Sequence, residues 1–287
     1  MRYTTLISAA ELQSLMDRGA PLMVFDCSFD LMKPEAGDQQ FLEAHIPEAV
    51  RAHLDLHLSA KADPDAASSG GRHPLPSREK FAAWLGSVGF GNPMQAVVYD
   101  RQGANYCGRL WWMLRWAGHA NVALLDGGLQ AWMAAGGVVS AGPTAAHAAQ
   151  GFALAPARTL LADAAQVKTR LGGQAQVLVD ARAPARYRGE VEPLDPVAGH
   201  IPGALNRPFN QNMGADGRFK PAAVLRAEWL ELLAGRDPAR VVHHCGSGVS
   251  AVPNIVAMEI ADLGGTALYA GSWSDWCSDP GRPVARV

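Results

Sequence analysis

Three features are scarce in this sequence, and each scarcity excludes a class of protein. No stretch approaches the roughly twenty consecutive apolar residues that a membrane-spanning helix needs. Lysine and arginine total 25 against 27 aspartates and glutamates, so no basic excess favours nucleic acid as a partner. The amino-terminal residues lack the apolar run and cleavage site of a secretory signal. We therefore expect a cytoplasmic protein without a membrane or nucleic-acid partner.

Cysteine is also rare, with four among 287 residues. Cys27, Cys107, Cys245 and Cys277 show no paired short spacing, so neither a zinc site nor a disulfide framework is predicted. We expect no metal and no cofactor, and a reducing compartment suits such thiols. The remaining composition, 48% hydrophobic and 18% charged, is typical of a globular protein long enough for two domains.

The sequence does contain an internal repeat. Four segments of the first half recur in the same order about 150 residues later. The pairs are 22–26 with 177–182, 44–49 with 198–204, 96–100 with 241–245, and 126–132 with 270–276. Recurrence in one order indicates a duplicated domain.

Within each half, short β-rich runs alternate with helix-like segments such as residues 109–116. This alternation is typical of a parallel sheet covered by helices. We therefore predict an α/β fold of two tandem domains, each a mainly parallel sheet with helices on both faces. The small, polar and aperiodic stretch 140–157 is predicted to link a domain at 1–139 to a domain at 158–287.

The most informative stretch is residues 241–260. It runs from an apolar segment into Cys245, then through a loop of small residues, then into a segment with apolar residues at helical spacing. If the loop curls around the sulfur, its N–H groups and the positive end of the following helix stabilise a thiolate or a charged sulfur adduct. We predict a reactive Cys245; the alternative is a buried structural cysteine.

The first half lacks this chemistry. Asp100 stands where the second half has Cys245, and residues 101–106 supply no nucleophile at the matching place. Cys107 begins a helical segment, and we interpret it as a core residue. The first half is therefore predicted to be a scaffold.

The duplicated frame, the His-Ile-Pro motifs at 45–47 and 200–202, and the segment 271–276 resemble two-domain rhodanese-type sulfurtransferases over nearly the whole chain. The loop 245–250 reads Cys-Gly-Ser-Gly-Val-Ser and resembles the Cys-Gly-Ser-Gly-Val-Thr loop of 3-mercaptopyruvate sulfurtransferases. Thiosulfate sulfurtransferases typically carry Cys-Arg-Lys-Gly-Val-Thr instead. The resemblance implies two rhodanese-like domains, of which only the second is catalytic.

The implied reaction passes sulfur from a small-molecule donor to Cys245, and from that persulfide to cyanide or to a thiol acceptor such as thioredoxin. Gly246 and Ser247 carry no charge to match the thiosulfate dianion, which favours 3-mercaptopyruvate. The Ser247 hydroxyl is placed to serve the departing pyruvate enolate, although a turn residue is the alternative interpretation. The loop residues Gly246, Gly248, Val249 and Ser250 are predicted to bind substrate.

Other residues take their predicted roles from the resemblance. Arg186 matches the arginine that contacts the donor carboxylate, and a guanidinium can hold a carboxylate by two hydrogen bonds. Asp55 and His73 match the acid and the histidine that pair with the loop serine. His53 and His57 lie near Asp55 in sequence and are rival candidates.

The chain departs from the family pattern at Leu194. Mercaptopyruvate enzymes usually carry a second arginine after the Glu-Pro at 192–193, where this chain has leucine. Carboxylate binding is then weaker or supplied by another group, such as Arg188 or Arg101. Ser250 replaces threonine and keeps the hydroxyl.

Three other functions are alternatives to this reaction. A cysteine phosphatase needs a loop closed by arginine, and the six residues after Cys245 contain none. A non-catalytic sulfur-carrier or interaction module is possible for this fold, but the intact cysteine loop argues against it. Thiosulfate remains the nearest rival donor, while the sequence leaves the physiological acceptor and the oligomeric state open.

Overall fold

The computed structural model describes residues 2–287, which form two compact units. The first comprises the chain up to Ala62 together with Pro76–Arg158 and Ala215–Phe219. The second comprises Asp63–Leu75, Thr159–Gly214 and Lys220–Val287. Each unit therefore takes a short segment from the other half of the sequence, and the boundaries at 139, 157 and 158 stay a prediction.

The first unit contains one five-stranded sheet. Its strands are β1 (Leu6–Ile7), β2 (Leu22–Asp26), β3 (Val50–Arg51), β4 (Gln95–Tyr99) and β5 (Val122–Leu125). Its α-helices are α1 (Ala9–Asp17), α2 (Ala36–Glu43), α3 (Arg78–Ser87), α4 (Cys107–Trp116) and α5 (Gly128–Ala134).

The second unit contains another five-stranded sheet. Its strands are β6 (Leu160–Ala162), β7 (Val177–Asp180), β8 (Leu205–Asn206), β9 (Val241–His244) and β10 (Ala267–Tyr269). Its α-helices are α6 (Ala164–Thr169), α7 (Pro184–Arg188), α8 (Ala222–Leu233), α9 (Val252–Ile260) and α10 (Ser272–Trp276). Short 3₁₀ turns lie at Pro64–Ala66, Phe209–Asn212 and Pro238–Arg240.

The two sheets have the same topology. Their strand orders are β1-β5-β4-β2-β3 and β6-β10-β9-β7-β8, and the pairings between these strands are parallel. Each strand of the second sheet thus occupies the place of the strand five positions earlier. The predicted α/β fold of two duplicated parallel sheets is confirmed.

The first helix of each unit is capped in the same manner. Ser8 Oγ accepts a hydrogen bond from the N–H of Glu11 at 3.3 Å, and Glu11 Oε2 accepts one from the N–H of Ser8 at 2.8 Å. Asp163 and Gln166 form the same reciprocal pair at the start of α6. Such caps stabilise a helix by about 1 kcal/mol, and they set where the chain turns from strand to helix.

Each unit has its own apolar core. The core of the first unit includes Val97 and Trp132, and that of the second includes Val242 and Trp273. Cys107 is buried at the start of α4, and burial raises the pKa of its thiol well above the ordinary value. The interpretation of Cys107 as a core residue therefore fits its surroundings.

No helix within residues 2–287 combines the length and the apolar character needed to cross a bilayer.

Strand β9 places two buried histidines directly before Cys245. The ring of His243 stands edge-on to Trp229 at 5.6 Å between centroids. Among the described residues, the ring nitrogens of His243 have no hydrogen-bond partner. Burial lowers the pKa of His243 to about 3, with a smaller effect from His244. His243 is therefore neutral at physiological pH.

This burial predicts an acid-sensitive second unit. The pKa of His243 is about 3 when folded against an ordinary 6.5, so the unfolded chain binds the proton first as the pH falls. The contribution of neutral His243 to the free energy of unfolding is complete above pH 6.5. It falls as the pH decreases toward about 3, by up to about 1.4 kcal/mol per pH unit. His243→Leu should remove this pH-dependent contribution. The measurement is the free energy of unfolding in urea at about pH 7.5 and about pH 5. An unchanged pH dependence in the variant would contradict the assignment.

Candidate active site

The carboxyl end of the second sheet is where the candidate residues meet. Cys245 directly follows the central strand β9, Arg182 and Arg186 follow β7, and Ser272 follows β10. Parallel neighbouring strands bring the segments that follow them to one edge of the sheet. The order β10-β9-β7 therefore places Cys245 between the other two segments.

The backbone of Cys245 is held by the start of α10. Its N–H donates to Ser272 Oγ at 3.1 Å, and its carbonyl accepts from the N–H of Trp273 at 3.0 Å. The next carbonyl, that of Gly246, accepts from the N–H of Ser274 at 2.9 Å. Three consecutive peptide groups at the cysteine are thus fixed by three consecutive residues of another segment.

Ser272 adopts an unusual backbone conformation to do this. Its φ is 55°, in the left-handed region that a residue with a side chain rarely occupies. Its hydroxyl accepts from Cys245 and donates to the carbonyl of Tyr269 at 2.9 Å. The local strain is offset by two buried hydrogen bonds at the cysteine.

The loop after Cys245 keeps donors available. Within residues 2–287, the N–H groups of Gly246, Ser247, Val249 and Ser250 donate to no backbone carbonyl. Helix α9 begins at Val252 immediately after this loop. Uncommitted N–H groups and a helix N-terminus beside one cysteine are what an anion-binding loop requires. Cys245 is only 2% exposed, so approach to it is restricted.

Gly248 gives the loop its sharp turn. Its φ is 73°, and a Cβ at this position would collide with the carbonyl oxygen of Ala270. Both the backbone conformation and the lack of space therefore demand glycine here.

Ser247 is paired with a histidine from the early part of the chain. Its Oγ lies 2.7 Å from His73 Nδ1, and both residues are buried. The segment Asp63–Leu75, which carries His73, belongs to the second unit. The N–H of Arg72 donates to Ser274 Oγ at 2.9 Å and anchors that segment beside the cysteine loop.

Two guanidinium groups lie next to the cysteine loop. A methyl group on Gly246 would lie 3.1 Å from Arg72 Nη2 and 3.3 Å from Arg186 Nη1. Both arginines bind Asp195, Arg72 at 2.5 Å and Arg186 at 3.1 Å. Arg186 also binds Glu192 at 2.6 Å. The arginine side chains remain 22% and 17% exposed, so the loop is reached from solvent beside them.

Arg182 supports the site through contacts with neighbouring side chains. It binds the buried Asp180 at 2.7 Å and Glu192 at 3.3 Å, and its guanidinium covers the Trp273 ring at 4.7 Å. Its donors are thus committed to the structure, and it links the ends of β7 and β10.

Comparison with known proteins agrees with this arrangement. The rhodanese-like domain family matches residues 8–135 and 163–279. This chain belongs to the rhodanese family.

Full-length relatives carry two different names. This rhodanese is 43% identical over 286 residues to a Pseudomonas aeruginosa protein named "Probable 3-mercaptopyruvate sulfurtransferase", covering 99% of both chains. It is 40% identical over 297 residues to a Mycobacterium tuberculosis protein named "Putative thiosulfate sulfurtransferase SseB", covering 99% of this chain and 98% of the relative.

A solved structure extends the comparison. The crystal structure of SseA from Escherichia coli, described as having the rhodanese fold of 3-mercaptopyruvate sulfotransferases, matches with a TM-score of 0.79 and 28% identity. The match covers 95% of this rhodanese and 100% of SseA. The predicted two-domain rhodanese architecture is confirmed.

The second unit by itself contains four of the predicted side chains close together. Cys245, Ser247, His73 and Arg186 converge with the loop glycines in the second unit. Asp55 belongs to the first unit, where it forms an ion pair with Lys61 at 2.9 Å. Its role beside His73 stays a prediction.

The rival candidates are committed elsewhere. His53 Nδ1 accepts from the N–H of Asp55 at 3.1 Å, and His57 Nδ1 accepts from the N–H of His53 at 3.0 Å. Arg101 binds Asp26 at 3.0 Å and also donates to Ser28 and two backbone carbonyls. Arg188 is 41% exposed and binds Glu190 at 2.6 Å. Arg101 and Arg188 are thus each held by local acceptors, and their role in place of the missing arginine stays a prediction.

Sequence reasoning missed several members of the site. Arg72 directly precedes His73, and that adjacency is the signal that could have identified it. Ser272 and Ser274 lie in the recurring segment 270–276, which marked the region without assigning a role to either hydroxyl. Asp195 had no signal, because an acid after Leu194 is ordinary surface composition.

The loop geometry predicts a contrast between two glycines. Gly248→Ala meets both a positive φ and a collision, whereas Gly265 has a φ of 81° with open space around it. Alanine at Gly265 should lower the free energy of unfolding by about 1–2 kcal/mol, because of the backbone conformation alone. At Gly248 it should lower it by about 1–3 kcal/mol more, because the added methyl group overpacks the loop. Urea unfolding measures both costs, and the rate of Cys245 alkylation by iodoacetamide should change only in Gly248→Ala. Equal losses of stability would show that the collision is relieved without cost.

Proposed function

We propose that this rhodanese transfers sulfur from 3-mercaptopyruvate through a persulfide on Cys245 to a thiol or cyanide. The observation that carries the proposal is the buried hydrogen bond, 2.7 Å long, between Ser247 Oγ and His73 Nδ1, two residues after the cysteine. Such a pair can supply a proton to a leaving group that forms beside the sulfur. The name of the Pseudomonas aeruginosa relative agrees with this donor.

In the first step, the Cys245 thiolate attacks the sulfur of 3-mercaptopyruvate. A new S–S bond forms, the C–S bond breaks, and its electron pair passes to the pyruvate enolate. Ser247 donates a proton toward the enolate, and His73 restores the proton to Ser247. The products are pyruvate and the Cys245 persulfide, which the loop N–H groups and the start of α9 stabilise as an anion.

In the second step, an acceptor thiolate attacks the outer sulfur of the persulfide. The S–S bond breaks, the acceptor gains the sulfur as its own persulfide, and Cys245 returns as the thiolate. The approach beside Arg72 and Arg186 is the route by which we propose that a small thiol, or the thiol of a protein such as thioredoxin, reaches the sulfur. A reducing cytoplasm would supply such acceptors, and the four cysteines are free thiols.

Asp55 is the residue we propose to orient His73, on the family pattern of an acid behind the histidine. Arg186 is proposed to hold the donor carboxylate, because its Nη1 faces Gly246 while its other donors bind Glu192 and Asp195. Val249 and Ser250 are proposed to act through the loop backbone.

Thiosulfate is a second candidate donor. The loop itself is uncharged, but Arg72 and Arg186 bring two positive charges beside it, and a dianion would respond to them. Their acidic partners Asp195 and Glu192 offset those charges. When thiosulfate gives up its outer sulfur, the leaving group is sulfite, which needs no proton from Ser247.

The donor assignment predicts the order of two measured rates. Wild-type protein should show a kcat/KM for 3-mercaptopyruvate at least about tenfold above that for thiosulfate, because only the former uses the Ser247–His73 pair. Intact-mass spectrometry should detect one added sulfur after either donor, and Cys245→Ser should abolish it. The reverse order of kcat/KM would assign the protein to thiosulfate.

The proton pair predicts a donor-selective defect. Ser247→Ala and His73→Gln should each lower kcat for 3-mercaptopyruvate by roughly 100-fold, and the double variant should lose little more, because the two residues act in one relay. Thiosulfate turnover is the matched control and should fall by less than about threefold. Similar losses with both donors would reduce the pair to a structural role.

A further inference from the structure

We propose that Arg72 is a second residue that binds the donor carboxylate. It takes the place of the arginine that the family usually carries where this chain has Leu194. The inference rests on the proposed function and adds to it the source of the missing positive charge. It follows from the position, the tethering and the uncommitted donors of Arg72.

Arg72 is held at the site by two contacts. Its N–H donates to Ser274 Oγ at 2.9 Å, and its Nη1 donates to Asp195 Oδ1 at 2.5 Å. Ser274 in turn fixes the carbonyl of Gly246. The backbone of Arg72 is therefore tied to a residue that holds the cysteine loop, and its guanidinium is tied to Asp195. A preorganised group loses little freedom when it binds a ligand.

Each of the two arginines keeps a terminal nitrogen for a ligand. Arg72 commits Nη1 to Asp195, while its Nη2 makes no hydrogen bond within residues 2–287 and lies 3.1 Å from a methyl position on Gly246. Arg186 commits Nε and Nη2 to acids, while its Nη1 lies 3.3 Å from the same position. A carboxylate beside Gly246 can accept from both nitrogens.

A second nitrogen of the Arg72 side chain also lacks a hydrogen-bond acceptor. Arg72 Nε is buried and has no hydrogen-bond partner among the described residues. A buried donor without a partner is unfavourable, so this nitrogen favours the binding of an acceptor. An anion bound at the guanidinium would supply such an acceptor.

Asp195 explains how the substitution at 194 is tolerated. It binds Arg72 through Oδ1 and Arg186 through Oδ2, so one carboxylate sets the spacing of both guanidinium groups. Leu194 is its direct neighbour in sequence. The segment Asp63–Leu75 thus brings a positive charge to the residue that follows Leu194.

The test separates the carboxylate from the rest of the donor. Arg72→Gln should raise KM for 3-mercaptopyruvate about 10- to 100-fold, as expected for loss of a charged hydrogen bond, with kcat within about threefold. Mercaptoacetone, in which a methyl group replaces the carboxylate, should react with wild type and Arg72→Gln at rates within about twofold. Arg72→Lys, which keeps a charge but not the planar fork, should give an intermediate KM.

The control is Arg240→Gln, which removes an exposed arginine of the second unit that pairs with Asp237 at 3.4 Å. It should leave KM for 3-mercaptopyruvate unchanged. Because Arg72→Gln leaves Asp195 paired with Arg186 alone, the change is also made together with Asp195→Asn, which removes the charge of that carboxylate. The rise in KM should persist in that background.

The outcomes distinguish this inference from the proposed function. Wild-type turnover of 3-mercaptopyruvate with an unchanged KM in Arg72→Gln would overturn the role of Arg72 alone. An equal loss with 3-mercaptopyruvate and mercaptoacetone would make Arg72 a structural residue and would also overturn it. Failure of wild-type Cys245 to gain sulfur from 3-mercaptopyruvate would overturn the proposed function itself.

Discussion

The hydrogen bonds between the cysteine loop and the start of α10 are the constraint on which the site depends. The loop must leave its own N–H groups uncommitted if they are to serve an anion, so it cannot be stabilised by its own backbone. The residues after β10 supply the missing support: they bind the N–H and carbonyl of Cys245 and the carbonyl of Gly246. Ser272 adopts a positive φ to make this possible. A rigid, externally braced loop is what electrostatic preorganisation requires.

The charges around the loop follow a second constraint. Guanidinium groups beside a cysteine attract anions, but unpaired cations in a restricted pocket are unfavourable. Asp195 and Glu192 neutralise the arginines on the side away from Gly246, so that single nitrogens are presented toward it. Burial raises the pKa of Asp195, an effect that its guanidinium partners oppose. The two guanidinium groups therefore favour the charged form of Asp195.

The sequence predicted the fold well because the information was local and repeated. Recurring strand motifs, apolar alternation and the cysteine loop each follow from short-range patterns, and the matching strand orders of the two sheets follow from the duplication. Arg186 and Ser247 were also predicted, because each lies in a segment that resembles a motif of the family. Arg72 was not, because its importance arises only when the segment Asp63–Leu75 joins the second unit. No spacing rule links residue 72 to Gly246.

The same segment limits how far the duplication can be treated as modular. Asp63–Leu75 is encoded within the first repeat, yet it belongs to the compact unit that holds Cys245. A fragment consisting of the second repeat alone would retain the nucleophile and the loop, but it would lack the imidazole bonded to Ser247 and the guanidinium bonded to Asp195. Splitting or shuffling the gene between the repeats would therefore separate Cys245 from the imidazole that we propose as its proton source. The two copies have become interdependent, even though their folds remain alike.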